Sequence, residues 1–350
     1  MHSNVLLAMS GGVDSTVAAI LLKQKGYTVT GIHFNLCQTH KEPEKSCNVR
    51  HIAEKLNIPL VELNLSSEFE TNVFSYFANE YCVGRTPCPC SYCNLHIKWK
   101  YLYNFAIENG FEHIATGHYA NIGLVDNTFR VLRATYTAKD QSYFLWNLPE
   151  HYLSMALAPL GNLTKQEVRH IALQNEFTDV AEKPESMGIC FLKGTDYRDF
   201  ISERMPHSAK GNIVDENGRV IGTHNGVQNY TIGQKKGIKN IPKYKCVTRI
   251  DSGSNTVHTG AWDSLYYNRI RLTNCTLNGL NYSTYNQLRV MIRGFGKNPQ
   301  ADCVLKVMPG NEAIIHLNDT AWAPMPGQPT AIYKENVLLG GGYVHSSWNE

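Results

Sequence analysis

Long apolar runs are missing from this sequence. None of its 350 residues belongs to a hydrophobic stretch of the roughly 18 residues needed to cross a bilayer, so a membrane partner is not expected. The first residues, MHSNVLLAMSGG, place no basic stretch ahead of their short apolar run, so a secretory leader is not expected either. The expectation is a cytoplasmic protein whose thiols stay reduced. Its ten cysteines are then ligands, nucleophiles or packing residues and not disulfide staples. Also missing are internal repeats, low-complexity tracts and any H-x-x-x-H spacing among the 14 histidines.

An excess of one charge is lacking too. The net charge is +3, with 18% of residues charged and 43% hydrophobic, as in an ordinary soluble globular chain. The imbalance is local. Residues 201–300 carry 14 Lys and Arg against 5 Asp and Glu, whereas residues 1–200 carry 17 against 20. A basic middle third on a near-neutral chain points to a polyanionic partner, with a merely solvated basic surface as the alternative.

The first hundred residues alternate between buried-strand and helix patterns. VLLAM (Val5–Met9), TVTGIHF, PLVELNL and HIATG read as strands. Between them lie helical stretches beginning DSTVAAILLKQKG, with Asp14 or Ser15 as N-cap and Gly26 as C-cap, then CNVRHIAEKLN, SSEFETNVFSYFANEYC and LHIKWKYLYNFAIENG. Such alternation predicts an α/β domain with a doubly wound parallel sheet. From about Lys210 the sequence turns rich in Gly and Asn with short β-like pieces. From about Asn268 strand-length runs separated by turn residues predict an antiparallel β-barrel. Three domains are expected, over residues 1–205, 206–267 and 268–350.

Two segments carry chemistry. AMSGGVDST (Ala8–Thr16) joins the first strand to the first helix, where glycines let a ligand approach the backbone and a helix N-terminus offers N–H groups to phosphate. It is neither G-x-x-x-x-G-K-[ST] nor G-x-G-x-x-G. TPCPCSYCN (Thr86–Asn94) sets Cys88, Cys90 and Cys93 within six residues, which suits a metal site or a nucleophile with its partner.

S-G-G-x-D-S resembles the PP-loop of enzymes that split ATP to AMP and pyrophosphate while adenylating a substrate oxygen. TGHYA (Thr116–Ala120), KDQSYFLW (Lys139–Trp146), PLGNLTKQEVR (Pro159–Arg169), AEKPESMGICF (Ala181–Phe191), YTIGQKKGI (Tyr230–Ile238) and PGQPTAIY followed by LLGGG occur in that order. Together with the loop they resemble the tRNA-specific 2-thiouridylase MnmA (TrmU) family of the PP-loop superfamily along the whole chain.

That resemblance implies a PP-loop domain, a small central domain and a C-terminal β-barrel. It also implies ATP with Mg²⁺, tRNA as partner, and sulfur transfer to C2 of the wobble uridine in tRNAs for Lys, Glu and Gln. The sulfur would come from a cysteine desulfurase or a relay protein. The implied catalytic cysteines are Cys93 and Cys190, the latter bearing a persulfide and the pair ending as a disulfide. Implied ATP contacts are Ala8, Met9, Ser10, Gly11, Gly12, Val13, Asp14, Ser15, Phe34 and Gly117. Implied contacts to the target base and tRNA are Cys88, Pro89, Cys90, His118, Lys139, Asp140, Gln141, Arg293, Gly294 and Gln328.

Some positions depart from the family pattern. Where members read T-P-N-P-D-x-x-C-N, this chain has Cys88 for Asn and Cys90 for Asp. Lys235 replaces an Arg, and Gly294 an aromatic. Cys90, Cys93 and Cys190 could instead ligate an iron–sulfur cluster, as in other tRNA thiolases, or a zinc ion with Cys88 as fourth ligand. A PP-loop ligase acting on another substrate, or a catalytically silent tRNA-binding protein, are the competing functions. Cys37 and Cys47 could form a second pair but read as inert. Cys82, Cys246, Cys275 and Cys303 read as small core residues. Tyr101, Tyr103 and Phe105 read as core, whereas Lys98 and Lys100 read as facing either tRNA or solvent.

Overall fold

The computed structural model describes residues 3–37, 43–184, 188–192, 194–205, 209–238, 242–280, 283–294 and 297–350. Residues 38–42 and the side chain of Cys47, and with them the pairing considered for Cys37, lie outside the described residues. The chain divides into two compact units. One comprises Met1–Val73, Cys90–Met187 and Asn336–Leu338; the other comprises Phe74–Pro89, Gly188–Glu335 and Leu339–Glu350.

The first unit is built on β1 (Asn4–Ala8), β2 (Thr28–Asn35), β3 (Leu60–Asn64) and β4 (His113–Ala115), the four strands that the apolar runs predict. All pair in parallel, with the order β3-β2-β1-β4. β1 is an almost uninterrupted apolar run because helices cover both of its faces. The first helix, α1 (Val13–Gln24), buries Val17, Ala18, Ile20 and Leu22 in the same core as Val5 and Leu7. Its C-terminus is a Schellman turn. Gly26, at φ +86, donates to the Lys23 carbonyl and Tyr27 to that of Leu22. The N-terminus differs from the expectation: Gly12 is the N-cap, which places Asp14 and Ser15 inside the first turn.

The second helix is α2 (Pro43–Lys55). The expected third helix is interrupted, with α3 (Ser66–Phe69) and α4 (Ser75–Cys82) flanking a π-helical stretch at Glu70–Phe74. The cysteine segment forms a short helix, α5 (Pro89–Cys93), which passes through a π turn at Asn94–Lys98 into α6 (Trp99–Glu108). The buried face of α6 is Trp99, Leu102 and Ala106; Tyr101, Tyr103 and Phe105 are only half-buried, correcting their placement in the core.

A hairpin of β5 (Asn121–Val125) and β6 (Thr128–Leu132) turns at Asp126–Asn127, both with positive φ. Its short alternation, and a turn pair without the usual glycine, left little pattern to read. The unit is completed by α7 (Glu150–Leu153), β7 (Ala156–Leu157) at the sheet edge beyond β4, α8 (Lys165–Gln174) and α9 (Thr178–Glu182). Because β4 lies on the opposite side of β1 from β2, the loops leaving β1 and β4 flank the reversal in strand order. In open α/β sheets that is where a ligand crevice forms.

The second unit contains α10 (Tyr197–Arg204) and a four-stranded sheet. Its strands are β8 (Gly211–Val214), β9 (Val220–His224), β10 (Lys245–Asp251) and β11 (Thr256–Ala261), in the order β10-β11-β8-β9. Ile213, Val227, Val247 and Val257 fill its core. The same unit holds the C-terminal barrel, in which β12 (Tyr266–Leu277), β13 (Thr284–Met291), β14 (Cys303–Met308), β15 (Glu312–Trp322), β16 (Pro329–Lys334) and β17 (Val337–Trp348) run in the order β12-β15-β14-β13-β16-β17. Pairing of β12 with β17 closes six antiparallel strands around Ile270, Leu288, Leu305, Ile315, Ile332 and Val344. Closure removes the sheet edges.

Gly340 sits at that closure with φ +129, and a Cβ there would lie 1.9 Å from the Thr276 carbonyl oxygen. Gly340→Ala is therefore expected to destabilise the barrel by about 3 kcal/mol or more. Thermal unfolding would check this, and an unchanged midpoint would mean that the β12–β17 seam tolerates displacement.

Candidate active site

In the first unit, the glycine loop is shaped by its own hydroxyls. Met9 is buried and donates from its N–H to the Ile32 carbonyl, while its own carbonyl accepts from His33 Nδ1 at 2.7 Å. Gly11 then turns through φ +76, a conformation that disfavours side chains. Asn48 Nδ2 donates to the Gly11 carbonyl at 2.7 Å. Ser15 Oγ accepts from the Ser10 N–H at 3.2 Å and donates to the Gly12 carbonyl at 3.1 Å. The Ser15 hydroxyl is thus a latch across the loop. With Gly12 as N-cap, no side chain caps the helix. First-turn N–H groups, together with the positive end of a 12-residue helix, suit an anion.

Asp14 does not point to solvent as a lone carboxylate. Its Oδ1 accepts from Tyr119 Oη at 2.7 Å and from Lys165 Nζ at 2.7 Å, and Lys165 Nζ also reaches Oδ2 at 2.9 Å. Lys165 is the first residue of α8, behind an N-cap Thr164 that forms a capping box with Glu167. A cation there opposes the helix dipole, and the Asp14 pair offsets that cost. Lys165 lies in the segment PLGNLTKQEVR and is not among the expected site residues. A lysine at the unfavourable end of a capped helix was the available signal.

Gly117 follows β4. A Cβ on it would lie 3.0 Å from the Asp14 carbonyl carbon and the Ser15 nitrogen, so glycine is what lets β4 approach the start of α1. Tyr119, 2% exposed, links the loop to the KDQS segment: its N–H donates to Gln141 Oε1 at 2.9 Å, and its carbonyl accepts the Gln141 N–H at 2.8 Å. Asp140 is 2% exposed, and its carboxylate accepts from Arg133 Nε, the Ala134 and Ser142 N–H groups and Ser142 Oγ, all at 3.0–3.1 Å. Those donors spend the carboxylate on organising the loop, in which the neighbouring Lys139 and Gln141 are half-buried. Phe34 lies within β2, paired with Leu63. Ala8 closes β1, and Val13 is buried at the start of α1.

His118 Nδ1 lies 2.9 Å from Thr116 Oγ1, and its ring is 6.2 Å from that of Trp99. Enclosure by the protein, and then the Lys98 ammonium, push its pKa down to about 3. It is a neutral imidazole.

Cys93 is 4% exposed at the end of α5, and Cys90 is half-buried one turn earlier. Asn94, 2% exposed, donates from Nδ2 to the Phe144 carbonyl at 3.0 Å and so fixes the helix that carries Cys93.

Cys88, Pro89 and Cys190 belong to the second unit, as do Arg293, Gly294 and Gln328. There Phe191 packs against Phe74 and Phe77, with ring centroids at 4.7 and 5.2 Å, and leaves the adjacent Cys190 exposed. Thr86, just before the cysteines, donates its N–H to the Pro326 carbonyl, which brings the approach to Cys88 beside Gly327 and Gln328. Arg293 stacks 4.9 Å from the Trp322 ring, which itself stacks 4.1 Å from Trp262; Lys235 lies 4.1 Å over Trp262. The structure therefore groups Lys235 with Arg293, although the two are far apart in sequence. Gly294 follows Arg293 and adds no side chain.

Burial pushes the Cys275 and Cys303 thiols up to about 12, which suits inert barrel residues. Cys246 is buried like Cys303, whereas Cys82 and Cys275 are half-buried. Among the described residues no three His, Cys, Asp or Glu side chains are grouped so as to hold a metal ion. Among the described residues, no helix is long and apolar enough to cross a membrane.

Family models match in three consecutive stretches: the tRNA methyl transferase HUP domain over residues 3–194, the tRNA methyl transferase PRC-barrel domain over 198–261, and the aminomethyltransferase β-barrel domain over 267–344. A tRNA-specific 2-thiouridylase MnmA 2 from Phocaeicola vulgatus is 36% identical, over 98% of this chain and 98% of that protein. The chain belongs to the MnmA family. Other MnmA proteins, described as tRNA-specific 2-thiouridylases, are 38% identical in Chlorobium chlorochromatii and 37% in Geotalea uraniireducens, covering 97% and 99% of the chain and 98% and 96% of theirs. In this MnmA-family chain, Tyr119 and Lys165 are the groups that hold the Asp14 carboxylate.

His118 supplies a pH signature. Its ordinary value of 6.5 applies in the unfolded chain and about 3 in the fold, so unfolding takes up a proton between these values. The stability that its neutral form contributes is complete above about pH 6.5 and is lost as pH falls toward 3. Thermal midpoints from pH 7 to 4.5 should fall less steeply for His118→Gln than for the parent chain.

Proposed function

We propose that this chain is an ATP-dependent tRNA sulfurtransferase that makes 2-thiouridine at the wobble position of tRNAs for Lys, Glu and Gln. One observation carries the reading: MnmA proteins 36–38% identical to it, matching over 97–98% of its length, are tRNA-specific 2-thiouridylases. The family models speak of methyl transfer, but a phosphate-shaped loop and an exposed thiol on Cys190 serve sulfur chemistry driven by ATP better.

Residues Ala8–Ser15, with Phe34 and Gly117, hold ATP. The first-turn N–H groups of α1 face its phosphates, and Lys165, fixed by Asp14, adds positive charge beside them. Magnesium, when bound, offsets phosphate charge. Phosphate oxygens would hold it, since Asp14, the only carboxylate of the loop, already accepts from Lys165 and Tyr119. The uracil C2 oxygen attacks the α-phosphate, and pyrophosphate leaves. This turns a poor leaving group into AMP. The terminal sulfur of a Cys190 persulfide then attacks C2 and expels AMP. The Cys93 thiolate attacks Cys190 Sγ, releasing 2-thiouridine and leaving a Cys93–Cys190 disulfide.

The base must leave its stack to be reached. Lys139, Gln141, His118, Arg293 and Gln328 are the tRNA contacts in this reading, with Cys88, Pro89, Cys90, Asp140 and Gly294 shaping their surroundings. Segments 1–205, 206–267 and 268–350 act as catalytic, central and barrel domains, the basic middle third meeting tRNA phosphates. The persulfide comes from a cysteine desulfurase or a relay protein.

Purified chain given tRNA, ATP and a cysteine desulfurase with cysteine should convert the wobble uridine to 2-thiouridine, read by nucleoside mass spectrometry. Cys93→Ser should abolish the product. Loss of one charge-assisted contact in Lys165→Met should raise KM for ATP about tenfold to a hundredfold. ATP–pyrophosphate exchange without tRNA, driven by a small carboxylate, would instead identify a ligase.

A further inference from the structure

We infer that Cys90 is the resolving thiol of this enzyme, taking the disulfide from Cys93–Cys190 onto Cys90–Cys93 so that Cys190 is released for the next persulfide. The inference rests on the persulfide route. Cys90 and Cys93 are three residues apart within the helix Pro89–Cys93, hence on one face of it. Helix geometry sets their Cα atoms about 5 Å apart, inside the range that a disulfide spans. With two intervening residues, the chain itself supplies the effective concentration. Cys88 lies outside that helix.

Burial sets the direction of exchange. Cys93 is 4% exposed, whereas Cys190 is exposed and Cys90 half-buried. The Cys90 thiolate attacks Cys93 Sγ, the Cys93–Cys190 bond breaks, and Cys190 departs as a thiolate that water solvates. No net oxidation occurs, because the two-electron oxidation moves from one pair to the other. An external dithiol reductant of the thioredoxin class then attacks the more accessible Cys90 sulfur. It supplies both electrons and becomes a disulfide itself.

The test is one turnover of the persulfide-loaded full chain with ATP and tRNA, without reductant, quenched by an alkylating reagent. Trypsin cuts after Arg85 and Lys98, so one peptide, 86–98, contains Cys88, Cys90 and Cys93. The expected peptide carries an internal Cys90–Cys93 disulfide and a label on Cys88, and Cys190 is labelled on its own peptide. Peptide 86–98 joined to the Cys190 peptide, with Cys90 labelled, overturns the proposal. Nucleosides from the same reaction separate the two failures: absence of 2-thiouridine defeats the persulfide reading and the inference with it. With a dithiol reductant present, Cys90→Ser should lower the steady-state rate, relative to its own first turnover, about tenfold or more. A ratio equal to that of the parent chain overturns the proposal, and the peptide map decides if the variant does not fold.

Discussion

The Asp14 carboxylate, shared between Lys165 and Tyr119, is the interaction on which the first unit's site depends. It ties the first turn of α1 to the start of α8 and to the segment after β4. Without it, Lys165 would stand at the positive end of a helix with nothing to compensate it, and Tyr119 would lose the anchor at its hydroxyl. Tyr119 in turn carries Gln141 on its backbone groups, so the pair extends from the glycine loop to the KDQS segment. The same carboxylate thereby holds the Lys165 ammonium close to the first turn of α1.

In the second unit an aromatic cluster lies beside an exposed thiol. Phe191 is clamped among Phe74, Phe77 and Phe200, and Tyr81 stacks on Tyr197 at 4.4 Å. These contacts fix the backbone that follows Cys190 while its sulfur remains exposed. The other end of α4 leads to Thr86, held on the Pro326 carbonyl. One short helix thus orders both the approach to Cys88 and the surroundings of Cys190.

Burial also sorts the cysteines by environment. Cys275 and Cys303 are held as neutral thiols by the barrel interior, which disfavours charge. Cys190 meets water, and Cys90 meets it in part. A set of cysteines that looks uniform in composition is in this way divided between enclosed thiols and thiols that reach water.

By itself the sequence determined the parallel sheet and the barrel, because their strands are apolar runs whose length and period follow directly from what they bury. It determined the glycine loop as well, since local turn chemistry and the following helix lie within a dozen residues. Tertiary structure alone decided the partners of Asp14, 105 and 151 residues away, and the internal role of Asp140. It also decided the column that joins Lys235 to Arg293 through two tryptophans. Those are pairings between distant segments, and hydrophobic periodicity carries no record of which polar side chains will meet. The helix start at Gly12 was missed for a related reason: Asp14 and Ser15 have the composition of caps, but their side chains are engaged elsewhere.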